Sequence, residues 1–136
     1  MRTIDYRSDR DIPLDGVLKL YRANGWSAAG KPEPLHKALV NSETVISAWD
    51  GETLVGLGNA ISDGHLVVYY PHLLVLPAYQ GRGVGREIMR HLKQRYEGFH
   101  QHMLVAEATA VAFYERMGFA RAGKTVPMWI YAGDDH

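Results

Sequence analysis

Residues 73–85 read LLVLPAYQGRGVG, an apolar run that leads into a glycine-rich turn carrying one arginine. The apolar run predicts a buried strand, and the residues after the turn predict a helix that begins within it. The first backbone N–H groups of a helix lack intrahelical partners and carry partial positive charge, so they favour a bound anion. Glycine lets the backbone approach that anion because no Cβ atom intervenes. The stretch therefore predicts a strand, a turn that suits a diphosphate, and a helix.

The composition indicates a single globular domain over residues 1–136. Hydrophobic residues make up 46% and charged residues 22%, which is enough apolar material for a sizeable core. Fifteen basic residues balance fifteen acidic ones, and this zero net charge argues against a general attraction to nucleic acid or to an anionic membrane. Any anion binding must therefore be local. Because the chain has no cysteine, disulfides, thiolate metal sites and a cysteine nucleophile are excluded.

No targeting segment or metal site is expected from the sequence. No apolar run approaches the roughly 18–20 residues that a membrane span requires, and the first residues lack the apolar core of a secretion signal. We therefore expect a cytoplasmic protein. His100 and His102 lie on one face of a predicted strand, but no third ligand stands at a metal-like spacing.

The pattern along the chain predicts a mixed α+β fold. Strands are expected at 3–7, 44–49, 53–61, 65–76 and 102–106, and helices at 13–24, 34–40, 83–96 and 108–117. Closing strands are expected after Phe119, most clearly over 126–131. Asp50-Gly51 and Asp63-Gly64 are typical of tight hairpins, so the middle of the chain should form an antiparallel meander. Pro71 cannot donate a ladder hydrogen bond, so we expect a local irregularity there.

The glycine-rich turn differs from two common phosphate-binding loops. A Walker loop requires Gly-Lys-Ser/Thr, which does not follow here. A dinucleotide fingerprint has a glycine spacing other than Gly81-x-Gly83-x-Gly85 and needs a βαβ unit that the pattern does not predict. The turn does read Gln80-x-x-Gly83-x-Gly85 after a strand. In this it resembles the coenzyme A pyrophosphate loop of the GNAT superfamily of acyl-CoA N-acetyltransferases, whose pattern is Gln/Arg-x-x-Gly-x-Gly/Ala.

A second segment supports the same resemblance. Residues 110–119 read AVAFYERMGF and are similar to the family's Ala-x-x-Phe-Tyr-x-x-x-Gly-Phe segment, which also follows one helix and one short strand. A purely structural role would explain Phe113 as a core aromatic residue and Gly118 as the end of a helix. It would not explain why a tyrosine follows Phe113 and a Gly-Phe pair follows four residues later. The segment 21–26 also looks like that of small single-domain bacterial members. The resemblance implies the GNAT fold, a mostly antiparallel twisted sheet of roughly six to seven strands with about four helices on its faces.

The resemblance implies an enzyme that moves the acetyl group of acetyl-CoA to a primary amine of a small molecule or a peptide. In the family, the fourth strand splays from the fifth, and unpaired backbone N–H groups hold the acyl-pantetheine arm. The glycine-rich turn holds the pyrophosphate. The residues that this implies as contacts of the coenzyme are Leu74, Val75, Leu76, Gln80, Gly81, Arg82, Gly83, Val84, Gly85, Arg86 and Phe113.

Acetyl transfer requires donors for the developing oxyanion, removal of a proton from the amine and stabilisation of the departing sulfur. The resemblance implies that the Tyr114 hydroxyl faces the sulfur as general acid. Because there is no cysteine, direct attack within a ternary complex is favoured over a cysteinyl intermediate. The proton acceptor is left open. His72 stands where many family members carry an acidic residue, and Glu107 and water are the alternatives.

The identity of the acceptor and the oligomeric state, monomer or homodimer, are left open by the sequence. Four aromatic residues are candidates for the wall of the acceptor pocket, namely Tyr21, Trp26, Tyr70 and Trp129. The family commonly places Asn at the start of the last helix, where this chain carries Ala108. An alternative function is therefore a sensor or structural module that binds acyl-CoA or CoA without transferring the acyl group.

Overall fold

A six-stranded sheet forms the centre of the computed structural model, which describes residues 3–135. The strands are β1 (Asp5–Arg7), β2 (Thr44–Asp50), β3 (Thr53–Ser62), β4 (Val67–Tyr69), β5 (Leu73–Val75) and β6 (Gln101–Met103). Their order is β1-β2-β3-β4-β6, and β5 also pairs with β3. Every pair is antiparallel except β4 with β6, which is parallel. The mixed α+β class is confirmed. Met1 and Arg2, which belong to the segment searched for a secretion signal, lie outside the described residues.

Helices pack on the sheet where the apolar periodicity predicted them. They are α1 (Leu14–Ala23), α2 (Pro32–Asn41), α3 (Val84–Arg95) and α4 (Val111–Arg116). The predicted helix at 108–117 is shorter than expected, because Ala108–Ala110 form a 3-10 turn before α4 begins. Within residues 3–135, no helix combines the length and the hydropathy needed to cross a bilayer.

Helix α3 lies unusually close to β3 because two glycines face it. A Cβ atom on Gly58 would stand 2.8 Å from Ile88 Cγ2 and 3.0 Å from Leu92 Cδ1, and one on Gly56 would stand 3.0 Å from Ile88 Cδ1. Ile88 and Leu92 are fully buried in this contact. The close approach sets the position of the start of α3, and with it the glycine-rich turn, relative to the sheet.

Helices α1 and α2 cover the other face of the sheet. The side chain of Asn59, which follows Gly58 and so points to the opposite face, donates from Nδ2 to Ser42 Oγ at the end of α2, at 3.0 Å. Three α1 residues are buried in this second layer of the core, namely Val17, Leu20 and Tyr21. The sheet is therefore enclosed between α3 and the α1–α2 pair.

The predicted strand at 65–76 is broken in the middle, which confirms the irregularity expected at Pro71. Residues 70–72 separate β4 from β5. Side chains two apart on a regular strand share a face, but here Tyr70 packs against Tyr96 on the α3 side while His72 packs against Tyr21 of α1. The break therefore turns two neighbouring aromatic side chains to opposite layers.

The closing strands predicted after Phe119 are wrong, since no strand follows β6 in the described chain. The segment 126–131 instead stays largely exposed, with Met128 at 90%. Two side chains tie the end of the chain to the turn after α1. Ser27 Oγ lies 3.2 Å from the Tyr131 hydroxyl and donates to Asp135 Oδ1 at 2.6 Å. These bonds tie Tyr131 and Asp135 to the 3-10 turn at Ser27–Gly30.

The Gly58→Ala substitution tests the close approach of α3. We expect the variant to lose about 1–3 kcal/mol of unfolding free energy, because the added methyl overlaps Ile88 and the helix must shift. Urea denaturation followed by tryptophan fluorescence measures the loss. Gly16→Ala is the matched control: its Cβ would meet Leu54 at an ordinary 3.4 Å, and alanine favours the α1 interior. Equal stability of Gly58→Ala and wild type would contradict the packing described.

Candidate active site

Two open cavities meet beside α4. The first, here the turn cavity, lies over β5 and the start of α3; its lining includes Asn24, Val75, Gln80, Gly83, Arg86 and Phe113. The second, here the aromatic cavity, lies over the broken strand; its lining includes Trp26, Tyr69, His72, Trp129 and Tyr131. Residues that line both cavities mark the point where they join, and these are Trp26, Leu73, Glu107, Ala110, Tyr114 and Asp135.

The glycine-rich turn and the start of α3 line the turn cavity. Gly81 and Gly83 adopt φ of 77° and 82°, a left-handed conformation that other residues rarely enter. The first hydrogen bond of α3 runs from Glu87 N–H to Gly83 C=O at 3.0 Å, so the N–H groups of residues 84–86 precede the intrahelical ladder. A Cβ atom on Gly83 would meet nothing within 4 Å. Unsatisfied donors therefore face open space in front of the turn.

Gln80 supports this turn from inside. Its Nε2 donates to the Val75 carbonyl at 3.0 Å and to Asn24 Oδ1 at 3.3 Å, and its backbone N–H donates to Pro77 C=O at 3.2 Å. The side chain and N–H group of Gln80 are thus engaged within the protein. These bonds fix the turn against β5, and a contact between Gln80 and the coenzyme stays a prediction.

Asn24 is a site residue that the sequence analysis missed. Its Nδ2 donates to Val75 C=O at 3.1 Å and to Leu20 C=O at 3.0 Å, which joins the end of α1 to β5. In sequence, Asn24 reads only as the polar residue before the Gly25 stop of α1. Its partner Val75 is 51 positions away, so no local pattern could have indicated the contact.

The outer edge of β5 offers backbone donors to the turn cavity. Leu76 N–H donates to Val55 C=O of β3 at 2.8 Å. In the same register, Leu74 lies opposite Leu57, so Leu74 and Leu76 direct their N–H groups to β3. Because N–H groups alternate between the two edges of an antiparallel strand, the N–H groups of Leu73 and Val75 face away from β3. Of the predicted contacts at 74–76, only Val75 directs its N–H group to the cavity.

One arginine and one aromatic ring complete the turn cavity, and a second arginine lies on the turn beside it. Arg86 lines it, and Arg82 lies with its guanidinium carbon 5.2 Å from the centre of the Tyr79 ring. Both arginine side chains are exposed, so they supply local positive charge on a chain of zero net charge. A Cβ on Gly85 would stand 3.7 Å from Phe113 Cζ, which shows α4 packed across the start of α3.

Tyr114 stands where the two cavities join. Its ring packs edge-on against Phe113 at 5.0 Å and Phe119 at 5.9 Å, and burial raises the pKa of its hydroxyl to about 12. The Tyr114 hydroxyl forms no hydrogen bond with any of residues 3–135. Among these residues, every buried side-chain oxygen and nitrogen has a hydrogen-bond partner, so the Tyr114 hydroxyl is not a buried atom. The hydroxyl must therefore open into the cavities, where it keeps its proton at neutral pH and can donate it.

His72 lines the aromatic cavity from the break between β4 and β5. Its Nδ1 lies 2.7 Å from the Tyr21 hydroxyl, and its ring packs edge-on against Trp26 at 5.2 Å. Burial lowers the pKa of His72 to about 4, an effect that the charge of nearby Asp135 opposes. The imidazole is thus neutral at neutral pH.

The four predicted acceptor residues divide between the wall of the aromatic cavity and the layers behind it. Trp26 and Trp129 form the wall, and Trp129 stacks on Tyr131 with ring centres 4.4 Å apart. Tyr21 is fully buried behind His72. Tyr70 contributes to the lining, but its hydroxyl lies 2.8 Å from His102 Nδ1 on the α3 side.

The charged residues of the aromatic cavity are predominantly acidic. Glu107, Asp134 and Asp135 line it, against one lysine, Lys31. Glu107 is exposed and precedes the 3-10 turn in which Ala108 takes the position that commonly holds Asn in the family. Aromatic faces and carboxylates together favour a ligand that carries a positive charge on an apolar frame.

The chain is similar in sequence to known proteins. Residues 11–128 match the family model described as an acetyltransferase (GNAT) domain. A relative named uncharacterized N-acetyltransferase ycf52, from Pyropia yezoensis, is 30% identical over 123 residues, which is 84% of this chain and 68% of the relative.

Solved structures share the fold. A GNAT-family acetyltransferase from Streptococcus pneumoniae aligns with a TM-score of 0.82 at 32% identity, over 96% of this chain and 99% of that chain. An aminoglycoside N-acetyltransferase in complex with CoA aligns with a TM-score of 0.74 over 97% of both chains; at 14% identity it shows the fold alone. The two sequence motifs, the sheet and these matches agree: the chain belongs to the GNAT acetyltransferase family.

Proposed function

We propose that this protein transfers the acetyl group of acetyl-CoA to a primary amine by direct attack within a ternary complex. The observation that carries the proposal is the junction of the turn cavity and the aromatic cavity at Tyr114. Two substrates held in adjoining cavities meet at one point, and such an arrangement replaces an encounter in solution by a reaction between positioned groups. A proton donor stands at that point.

The turn cavity has the chemistry that coenzyme A needs. Its diphosphate suits the free N–H groups of residues 84–86 and the guanidinium groups of Arg82 and Arg86. The N–H of Val75 on the open edge of β5 suits an amide carbonyl of the pantetheine arm. Acetyl-CoA would supply an acetyl group activated as a thioester.

Tyr114 would donate its proton at the sulfur. With a pKa of about 12, the phenol is protonated throughout the neutral range, so a donor is present in every molecule. Its hydroxyl opens into both cavities and is not engaged by any of residues 3–135. Protein donors with such open geometry are available to a charge that develops during a reaction.

Glu107 is the proton acceptor that the site favours, acting directly or through water. An amine attacks only after losing its proton, because an ammonium nitrogen has no lone pair. Glu107 is one of the residues that line both cavities at their junction. His72 is the weaker candidate, because its Nδ1 already lies 2.7 Å from the Tyr21 hydroxyl and is engaged by it.

The acceptor we propose is a small molecule or a peptide with a cationic amine. The acidic residues Glu107, Asp134 and Asp135 attract the ammonium form, and the rings of Trp26 and Trp129 supply apolar contact. The naming of the Pyropia yezoensis relative as an N-acetyltransferase supports transfer to nitrogen.

The Tyr114→Phe variant tests the proton donor. We expect kcat to fall by about 10²- to 10⁴-fold, the usual contribution of a general acid, while affinity for CoA stays near the wild-type value. Thiol release from acetyl-CoA in the presence of a panel of amines measures turnover. Tyr6→Phe, which removes a tyrosine hydroxyl on β1 far from the junction, is the control and should keep full turnover. Undiminished kcat in Tyr114→Phe would exclude the assigned role.

The Gly83→Asp variant tests the anion site. Aspartate adds negative charge in front of the free N–H groups and is strained at a φ of 82°, so we expect thermal stabilisation by CoA to disappear. The matched control is Gly98→Asp: Gly98 has a φ of 86°, also has open space around its Cβ position, and lies beyond the opposite end of α3. A melting temperature that still rises with CoA in Gly83→Asp would place the diphosphate elsewhere.

A further inference from the structure

A buried tyrosine–histidine pair stands behind the aromatic cavity. The Tyr21 ring is fully buried, and its hydroxyl has one hydrogen-bond partner among residues 3–135, His72 Nδ1 at 2.7 Å. Burial raises the pKa of Tyr21 far above its ordinary value, so the hydroxyl keeps its hydrogen. If the hydroxyl instead accepted a hydrogen bond from His72, its own hydrogen would be buried without an acceptor, which is a costly arrangement. Tyr21 therefore donates, and His72 Nδ1 accepts.

This direction fixes the tautomer of His72. A neutral imidazole carries one N–H group and one lone pair, so a ring whose Nδ1 accepts has its hydrogen on Nε2. The ring is neutral at neutral pH because burial lowers its pKa. The charged group that acts on it is Asp135 of the C-terminal segment, and the neighbours on α1 and the following turn, Tyr21 and Trp26, are uncharged.

The Nε2–H group faces the aromatic cavity. His72 lines that cavity, and its Nε2 has no hydrogen-bond partner among residues 3–135. Since no buried side-chain nitrogen in that range is left unpaired, Nε2 must be accessible. Asn59 bonds both backbone groups of His72. The His72 N–H donates to Asn59 Oδ1 at 3.0 Å, and the Asn59 N–H donates to the His72 carbonyl at 3.1 Å. The donor is thus fixed in position as well as in tautomer.

We infer that Tyr21 holds His72 as an Nε2–H donor for an oxygen of the acceptor, and that His72 does not take the proton of the amine. The inference rests on the proposed function, because it concerns the acceptor of that reaction. The ring nitrogen that could accept a proton is occupied by Tyr21, so proton removal falls to Glu107 or water. The group that meets Nε2–H must carry a lone pair. An ammonium has none, and the deprotonated amine directs its single lone pair at the thioester carbon. The acceptor class is therefore an amine with a nearby carbonyl or hydroxyl oxygen, as in amino-acid amides, peptide N-termini and amino sugars, and not a plain alkylamine.

Nitrogen NMR of the full chain labelled with ¹⁵N-histidine tests the tautomer without any substrate. Long-range proton–nitrogen correlations distinguish protonated from unprotonated ring nitrogens, and His72→Gln assigns the signals. We expect wild-type His72 to carry hydrogen on Nε2 alone from pH 6 to 8, and Tyr21→Phe to show both tautomers. Tyr70→Phe removes the hydroxyl of the other tyrosine–histidine pair and should leave the His72 signals unchanged. Hydrogen on Nδ1 in the wild type, or a mixture, would overturn the inference.

Thiol release with glycinamide and propylamine tests the acceptor class. The two amines have the same number of backbone heavy atoms, but only glycinamide has a carbonyl oxygen beside the amine carbon. We expect His72→Leu to lower kcat/KM for glycinamide by roughly 2- to 12-fold, equivalent to one neutral hydrogen bond, and to leave propylamine unaffected. His72→Gln, which keeps an N–H donor and cannot titrate, should restore most of the glycinamide value. Equal losses for both amines, or no rescue by His72→Gln, would overturn the acceptor class. If the wild-type protein uses neither amine, the result counts against the proposed function. The NMR experiment decides the tautomer independently of either outcome.

Discussion

The break in the strand at Pro71 is the constraint on which the site depends. Proline has no N–H group, so the ladder between β3 and its neighbour cannot run through this position. Asn59 on β3 bridges the gap by bonding both backbone groups of His72, and its own side chain is anchored on Ser42. Because the bridge is buried and fully paired, the break is a stable feature of the fold and not a frayed end.

Three properties of the site follow from the break. Tyr70 and His72 point to opposite layers, so a histidine reaches the acceptor side and contacts Tyr21. Beyond the break, β5 pairs with β3 alone, which leaves its outer edge open to the turn cavity. The same short strand leads directly into the turn at 80–83 and the start of α3. A single local interruption thus places the proposed acceptor contact, the open strand edge and the proposed anion site within one stretch of chain.

The proposed anion site is local, as the composition requires. A chain with zero net charge cannot draw a polyphosphate by its overall field, so the proposed attraction comes from the start of α3, from Arg86 in the cavity lining and from Arg82 on the turn. The two glycines of β3 bring α3 against the sheet and set the place of that helix start. The acidic lining of the aromatic cavity is the counterpart at the other end of the site, and it separates an anionic ligand from a cationic one.

The sequence predicted what depends on local pattern. Apolar periodicity located α1, α2 and α3, the two Asp-Gly hairpins located the meander, and the two motifs located the turn and Tyr114. Contacts between distant residues were not predictable in this way: Asn24 and Tyr21 meet partners 51 positions away, and neither contact leaves a mark in the spacing of residues. The strand expected over 126–131 has the apolar composition of a strand, but a strand also needs a partner, and the segment pairs with none in residues 3–135. Gln80 fits the motif by residue type, yet its side chain turns inward to Asn24 and Val75.

The most direct test of the account is calorimetric titration of the purified protein with acetyl-CoA, CoA and ATP. We expect saturable binding of acetyl-CoA and CoA but not of ATP, because the open edge of β5 can hold a pantetheine arm, which ATP lacks. If neither acetyl-CoA nor CoA binds, the central claim is contradicted, and the turn at 80–85 only begins a helix.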